Sequence, residues 1–111
     1  MIAPIPLCLL PSTATVRVPD PGADRGGAFL PAVTIERVRY ESTAGIRHES
    51  WQLQDGTSGI LYVDAANSGG AFEVPAGSKV SVDGGPETSV NACHRYEEFG
   101  GRVHHWEIEL R

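Results

Sequence analysis

The stretch that most constrains the fold is GGRVHHWEIELR, Gly100 to Arg111. From Arg102 onward it alternates: Trp106, Ile108 and Leu110 fall on one face, Glu107 and Glu109 on the other. A period of two is the pattern of a half-buried strand, because successive side chains leave a pleated backbone on opposite sides. Burial of the three apolar side chains is worth roughly 1.5–3 kcal/mol each. Gly100-Gly101 separates this strand from the run Val90–Phe99 and accepts the positive φ angles of a two-residue hairpin turn. The expectation is a closing hairpin with Trp106, Ile108 and Leu110 in its core.

The remaining chain carries the same punctuation. Among 111 residues, 13 Gly and 8 Pro leave no window with a sustained helical apolar stripe. Short β-type runs between turn residues predict one all-β domain, a small barrel with long loops. Residues 1–12 read as an extended N-terminal arm, and residues 13–111 as the barrel. In the arm, Pro4, Pro6 and Pro11 interrupt Leu7, Leu9 and Leu10, allowing an extended segment or one helical turn around Leu7–Leu10. The prolines, and the lack of a basic start, argue against a secretion signal. No segment approaches the roughly 20 apolar residues of a membrane span, so a soluble protein made in the cytoplasm is expected.

Thr13–Val18 is the first predicted strand, and Asp20–Ala28 an exposed, mobile loop. Ala32–Glu41 is the second strand, with a phase defect: Val33 and Ile35 share one face, Val38 and Tyr40 the other. A β-bulge near Glu36-Arg37 would restore one inward face. Glu49–Gln54 alternates around Trp51 and Leu53, and Gly59–Asp64 is a strand apolar on both faces. Lys79–Val82 follows the turn at Pro75-Ala76-Gly77. Asp83-Gly84-Gly85 then reads as a hairpin turn into Glu87–Phe99.

Chemistry-bearing motifs are sparse. His104 and His105 adjoin on a strand, so they should point to opposite faces and not share a site. His94 lies across the predicted turn and could approach His104, but two histidines without a third ligand fall short of a metal centre. No Ser occupies a GxSxG elbow, and the glycine clusters lack phosphate-loop spacing. Glu97-Glu98 with Glu107 and Glu109 reads as a solvated acidic face rather than a catalytic pair. Cys8 and Cys93 fit no metal-ligand spacing and read as free thiols, a disulfide being open only if the N-terminus docks beside the last hairpin. A net charge of −5 argues against a general nucleic-acid-binding surface. The residues alone point to a small β domain that is not an enzyme and uses no cofactor.

Four blocks, in order, resemble a family of phage minor capsid proteins of the head-completion or stopper type. They are PIPLCLL (Pro4–Leu10), AVTIERVRYE (Ala32–Glu41), GILYVDAANS (Gly59–Ser68) and HHWEIEL (His104–Leu110), with FEVPAGSKVSVDG (Phe72–Gly84) between the last two. Ser78 stands where the family usually has Asp, and the segments 20–28 and 42–57 differ from its usual content. The resemblance implies a virion protein of the head–tail connector, a ring of copies expected to be a hexamer. Its implied partners are portal and adaptor proteins, tail-terminator or tail-tube proteins, and packaged DNA held without sequence-specific contact, with no membrane. An acidic lumen would let DNA slide rather than stick. Pro4, Pro6, Leu7, Leu9 and Leu10 are then the candidate adaptor or intersubunit contact. Asp55, Gly56, Thr57 and Ser58 are the candidate tip of a channel loop formed by 42–58, and Pro19–Ala28 would touch a neighbouring connector or tail protein. Two other readings stay open. One is a binding module for a peptide or small ligand through Trp51, Tyr62 and Trp106; the other is a metal-dependent enzyme built on His94 and His104.

Overall fold

The computed structural model describes residues 3–21, 28–42 and 58–111. Six strands form a closed antiparallel barrel: β1 (Ser12–Arg17), β2 (Val33–Ser42), β3 (Gly59–Asp64), β4 (Lys79–Val82), β5 (Glu87–Glu97) and β6 (Val103–Leu110). Around the wall the order is β1-β2-β3-β6-β5-β4. The chain therefore makes two three-strand meanders, joined once where β6 pairs with β3 and again where β4 pairs with β1. The alternating stretch at residues 103–110 is the strand that seals one of those seams. The all-β expectation holds. A single 3-10 turn at Leu7–Leu9 precedes the barrel.

Alternation decides what lies inside. Leu61 faces Ile108 and Val63 faces Trp106 across β3–β6, and Ala14 and Val16 enter from β1. Ile35, Val38, Val74, Val80, Val90 and Leu110 complete the interior. Trp106, Ile108 and Leu110 are all buried, as the pattern predicts. The indole N–H of Trp106 donates to Glu73 Oε1 at 3.3 Å, so its one polar atom is satisfied at the edge of the core. The neighbouring Glu109, expected to be solvated, is buried instead, and it touches His94 of β5.

Three bulges interrupt the ladders. In β2, Val38 pairs with Ser12 and Glu36 with Thr13, which leaves Arg37 as the extra residue. Its φ of 60° is left-handed, a conformation that costs a non-glycine residue about 1–2 kcal/mol. In return Ile35 and Val38 both enter the core, resolving the phase defect visible in the sequence. In β5, Val90 pairs with Leu110 and Ala92 with Glu109, so Asn91 is extra. In β6, Val103 pairs with Glu97 and His105 with Tyr96, so His104 is extra. The turn that follows β5 is accordingly longer than the two residues predicted. Glu98 N–H donates to Arg102 O at 2.8 Å and encloses Phe99, Gly100 and Gly101, with φ of 98° and 80° at the two glycines.

The other hairpin turn is as predicted. Gly85 N–H donates to Val82 O at 2.9 Å around Asp83 and Gly84, whose φ angles of 51° and 73° are those a type I′ turn requires. The Asp83 carboxylate accepts Thr13 N–H at 2.9 Å, and this bond, with one from Ser12, lowers its pKa. A lowered folded-state pKa stabilises the fold above the ordinary carboxylate range, and the gain fades as pH falls through the folded value. Asp83→Ala should therefore lower the melting midpoint at neutral pH, and the difference from wild type should narrow in acid to what the left-handed φ costs alanine.

Ser78 is fully buried, and its Oγ has no hydrogen-bond partner among the described residues. An unpaired buried hydroxyl costs about 1–3 kcal/mol. Ser78→Ala should stabilise the barrel by about 1 kcal/mol, raising the melting midpoint by about 4–8 °C. A lower midpoint in a thermal melt would mean the hydroxyl is satisfied in solution.

Candidate functional site

The site is built from the end of β3 outward. Asp64 is completely buried, and its carboxylate gathers three backbone N–H groups. Oδ2 accepts from Ala66 at 3.0 Å and from Asn67 at 2.7 Å, which bends the chain into an Asx turn directly after the strand. Oδ1 accepts the N–H of Ile5 in the arm at 2.9 Å. Asn67 Nδ2 then donates to Ile5 O at 2.8 Å, so both polar groups of one arm residue are held. A clamp of this kind reads backbone and is indifferent to the side chain it holds.

The same turn secures the bulge in β2. Ser68 Oγ accepts Asp64 N–H at 2.9 Å and donates to Arg37 O. Glu36 and Gly69 exchange both backbone bonds, at 2.9 and 3.0 Å. Gly70 has a φ of 78°, and a Cβ there would stand 2.8 Å from Thr34 O, so glycine alone lets the loop lie this close to β2. Arm, bulge and β3 thus meet at Asp64, the arm through its carboxylate and the bulge through its backbone N–H and Ser68.

Beside the clamp lie His104 and His105. Because His104 is the bulged residue, the alternation fails there and its ring comes to the side of His105, correcting the expectation that the two could not meet. Their Nδ1 atoms are 2.8 Å apart. His104 Nε2 donates to Ala3 O at 2.6 Å, and His105 Nε2 lies 2.9 Å from Glu107 Oε2. Tyr96 stacks on His105 with centroids 4.8 Å apart and planes 5° from parallel. His94 does not join them: it stands opposite Glu107 and contacts Glu109. Among the described residues no group of His, Cys, Asp and Glu has the arrangement of a metal site. A surface cavity of about 340 Å³ adjoins His104, lined by Pro4, Ala65, Ala66 and Val103 together with Glu98 and Arg102.

The outer wall nearby is acidic. Tyr62 faces Glu107 across β3–β6 and Arg39 across β2–β3. Its phenol is pushed up to about 12, first by burial and then by Glu41 and Glu107. Burial, helped by Glu107 and Glu109, also raises Tyr96. Trp106 and Tyr62 occupy opposite faces of the wall, so they cannot line one ligand site as the binding-module reading required. Trp51, its third member, lies outside the described residues.

The other expected contacts divide in the same way. Leu10 is buried against its own barrel, so it leaves the set expected to face a partner. Leu7 and Leu9 remain 56% and 46% exposed, and Pro4 and Pro6 are also exposed. In the candidate channel loop, Asp55, Gly56 and Thr57 lie outside the described residues. Ser58 is no loop tip: its N–H and Oγ both donate to Leu110 O, at 2.6 and 3.1 Å, which ties it to the end of β6. The loop after β1 is closed at its base by Asp20 N–H to Ala28 O at 3.0 Å and Leu30 N–H to Val18 O at 2.8 Å. Cys8 and Cys93 are free thiols. No helix among the described residues is long and apolar enough to cross a membrane.

In the sequence Asp64 reads as the end of the strand Gly59–Asp64, and Asn67 as part of the loop Ala65–Ala71 that follows it. The Asp-x-x-Asn-Ser spacing signals an Asx turn, but nothing local says that its acceptor reaches back 59 residues to Ile5. None of the family models, curated proteins or solved structures compared with this chain matches it.

Asp64→Ala strips the acceptor from three N–H groups. Since bonds to a charged acceptor contribute about 1.5–3 kcal/mol each, the expected loss is roughly 3 kcal/mol or more in chemical denaturation. Asn67→Ala frees only Ile5 O and should cost about 1 kcal/mol. Equal losses for the two variants would show that the carboxylate is not the hub.

Proposed function

We propose that this chain is a structural protein of the phage head–tail connector, a stopper that forms a ring beneath portal and adaptor. In this reading it extends the DNA channel, retains packaged DNA without reading its sequence, and docks tail-terminator or tail-tube proteins. Its place is the neck of the virion, and it needs neither catalysis nor a cofactor. The observation that carries the reading is the arm: a proline-broken segment is laid on a closed barrel by backbone bonds, with Leu7 and Leu9 left bare. Exposed leucines on a segment that the barrel already anchors are suited to cover by another subunit or by the adaptor. The ordered sequence blocks that resemble stopper proteins support the same role. So does the acidic balance of −5, which suits a channel that must not grip phosphate.

The test separates folding from assembly. Leu7→Ser/Leu9→Ser removes no core side chain, so the variant should melt within about 0.5 kcal/mol of wild type. Coexpressed with the portal and adaptor of the phage that encodes it, the variant should fail to join the complex, whereas wild type should appear as a ring by electron microscopy. Wild type that remains a monomer beside those partners would overturn the reading.

A further inference from the structure

The contacts around His104 and His105 contain a proton count that does not balance for neutral rings. Three contacts run in series: Ala3 O to His104 Nε2 at 2.6 Å, His104 Nδ1 to His105 Nδ1 at 2.8 Å, and His105 Nε2 to Glu107 Oε2 at 2.9 Å. The two ends, a carbonyl and a carboxylate, only accept. Each contact needs one proton, so the series needs three, and two neutral imidazoles carry one each. With both rings neutral, one contact must therefore set lone pair against lone pair. With one extra proton on the pair, all three are hydrogen bonds. A second extra proton sets two N–H groups against each other at the Nδ1 contact and breaks the series again.

We propose that the N-terminal arm is a proton-operated latch, docked through Ala3 when His104 and His105 together hold one extra proton taken up from solvent. This inference stands on the geometry alone and holds whether or not the chain belongs to a connector. Of the three contacts only the one to Ala3 crosses between segments, so it is the one whose loss would free the arm. Stacking of His105 on Tyr96 sets the plane of that ring.

The surrounding charges are mixed. Glu107 faces His105 from the same strand, with Tyr62 and His94 opposite it on β3 and β5. Asp64 stands opposite His105 and is committed to Ile5, and Arg39 lies beyond Tyr62. Glu109 contacts His94, while Glu98 and Arg102 line the cavity beside His104. The arm from Ala3 to Pro11 contributes no charged side chain. Glu107 is thus the one charged group in the series itself. Raising pH through the midpoint of the pair should release the arm at Ala3 and loosen it at Ile5.

The experiment is a nuclear magnetic resonance titration of the full chain between about pH 5 and 8, the histidine range. It follows the Ile5 amide and the imidazole nitrogens of His104 and His105. In wild type the Ile5 signal should move with the same midpoint as the pair. In Glu107→Gln the new side-chain N–H can donate to a neutral His105 Nε2, so the series closes with two ring protons. The arm should then stay docked across the range and the Ile5 shift should disappear, with the Trp106 indole signal reporting an intact core. As a second variant, Asn67→Ala weakens the arm without touching either ring. Because linkage is reciprocal, it should move the midpoint of the pair to lower pH. An Ile5 signal that ignores pH in wild type, one that titrates identically in Glu107→Gln, or a midpoint unmoved in Asn67→Ala would each overturn the latch.

Discussion

The carboxylate of Asp64 is the point on which this structure turns. A buried anion is costly unless its lone pairs are filled, and here three backbone N–H groups fill them. Each donor belongs to a segment that would otherwise need its own anchor. Two of them shape the turn after β3, and the third brings in the arm. The turn in turn supplies Ser68 and Gly69 to the bulge of β2, where the left-handed Arg37 needs support. One desolvated charge thereby shapes the turn that braces β2 and holds the arm beside the end of β3, a seat that alternation alone could not have placed.

Around that hub the barrel follows simple rules. Every second side chain of a strand turns inward and is apolar, and at Arg37, where the alternation would expose a core residue, the backbone inserts a bulge. Arg37 shows the gain: Ile35 and Val38 both enter the interior at the cost of one unfavourable φ. His104 shows the other use of a bulge, because the extra residue aims its ring along the outer surface instead of adding to the core. The same irregularity that disrupts a ladder thus lets two consecutive side chains of β6, His104 and His105, meet.

How much of this was legible depended on whether a feature left an apolar trace. Gly59–Asp64 and Lys79–Val82 could be read to the residue, since turn residues bound them and hydrophobic side chains fill them. The bulge at Arg37 was visible because Val33, Ile35, Val38 and Tyr40 cannot share a face without it. The bulge at His104 left no such trace: two identical residues in succession reveal no change of phase. Nor could the arm's seat be found, because hydrogen bonds to the backbone of Ile5 impose no requirement on its side chain. Ser58 and Glu109 were misplaced for a related reason, since polar residues read as solvated unless a distant partner is known. Here those partners are Leu110 O and His94.

Closure of the barrel has a consequence for how such a molecule can be joined to others. An open sheet advertises a row of free N–H and C=O groups that any extended chain can copy, whatever its sequence. In this wall both seams are sewn, β3 to β6 and β1 to β4, so that generic route is shut there. Recognition must then be written in side chains: the bare leucines of the arm, and Phe99, fully exposed at the tip of the β5–β6 hairpin. Those positions can be rewritten by mutation without disturbing a single ladder bond. A lineage carrying this barrel could change its neighbours many times over while its interior stayed the same.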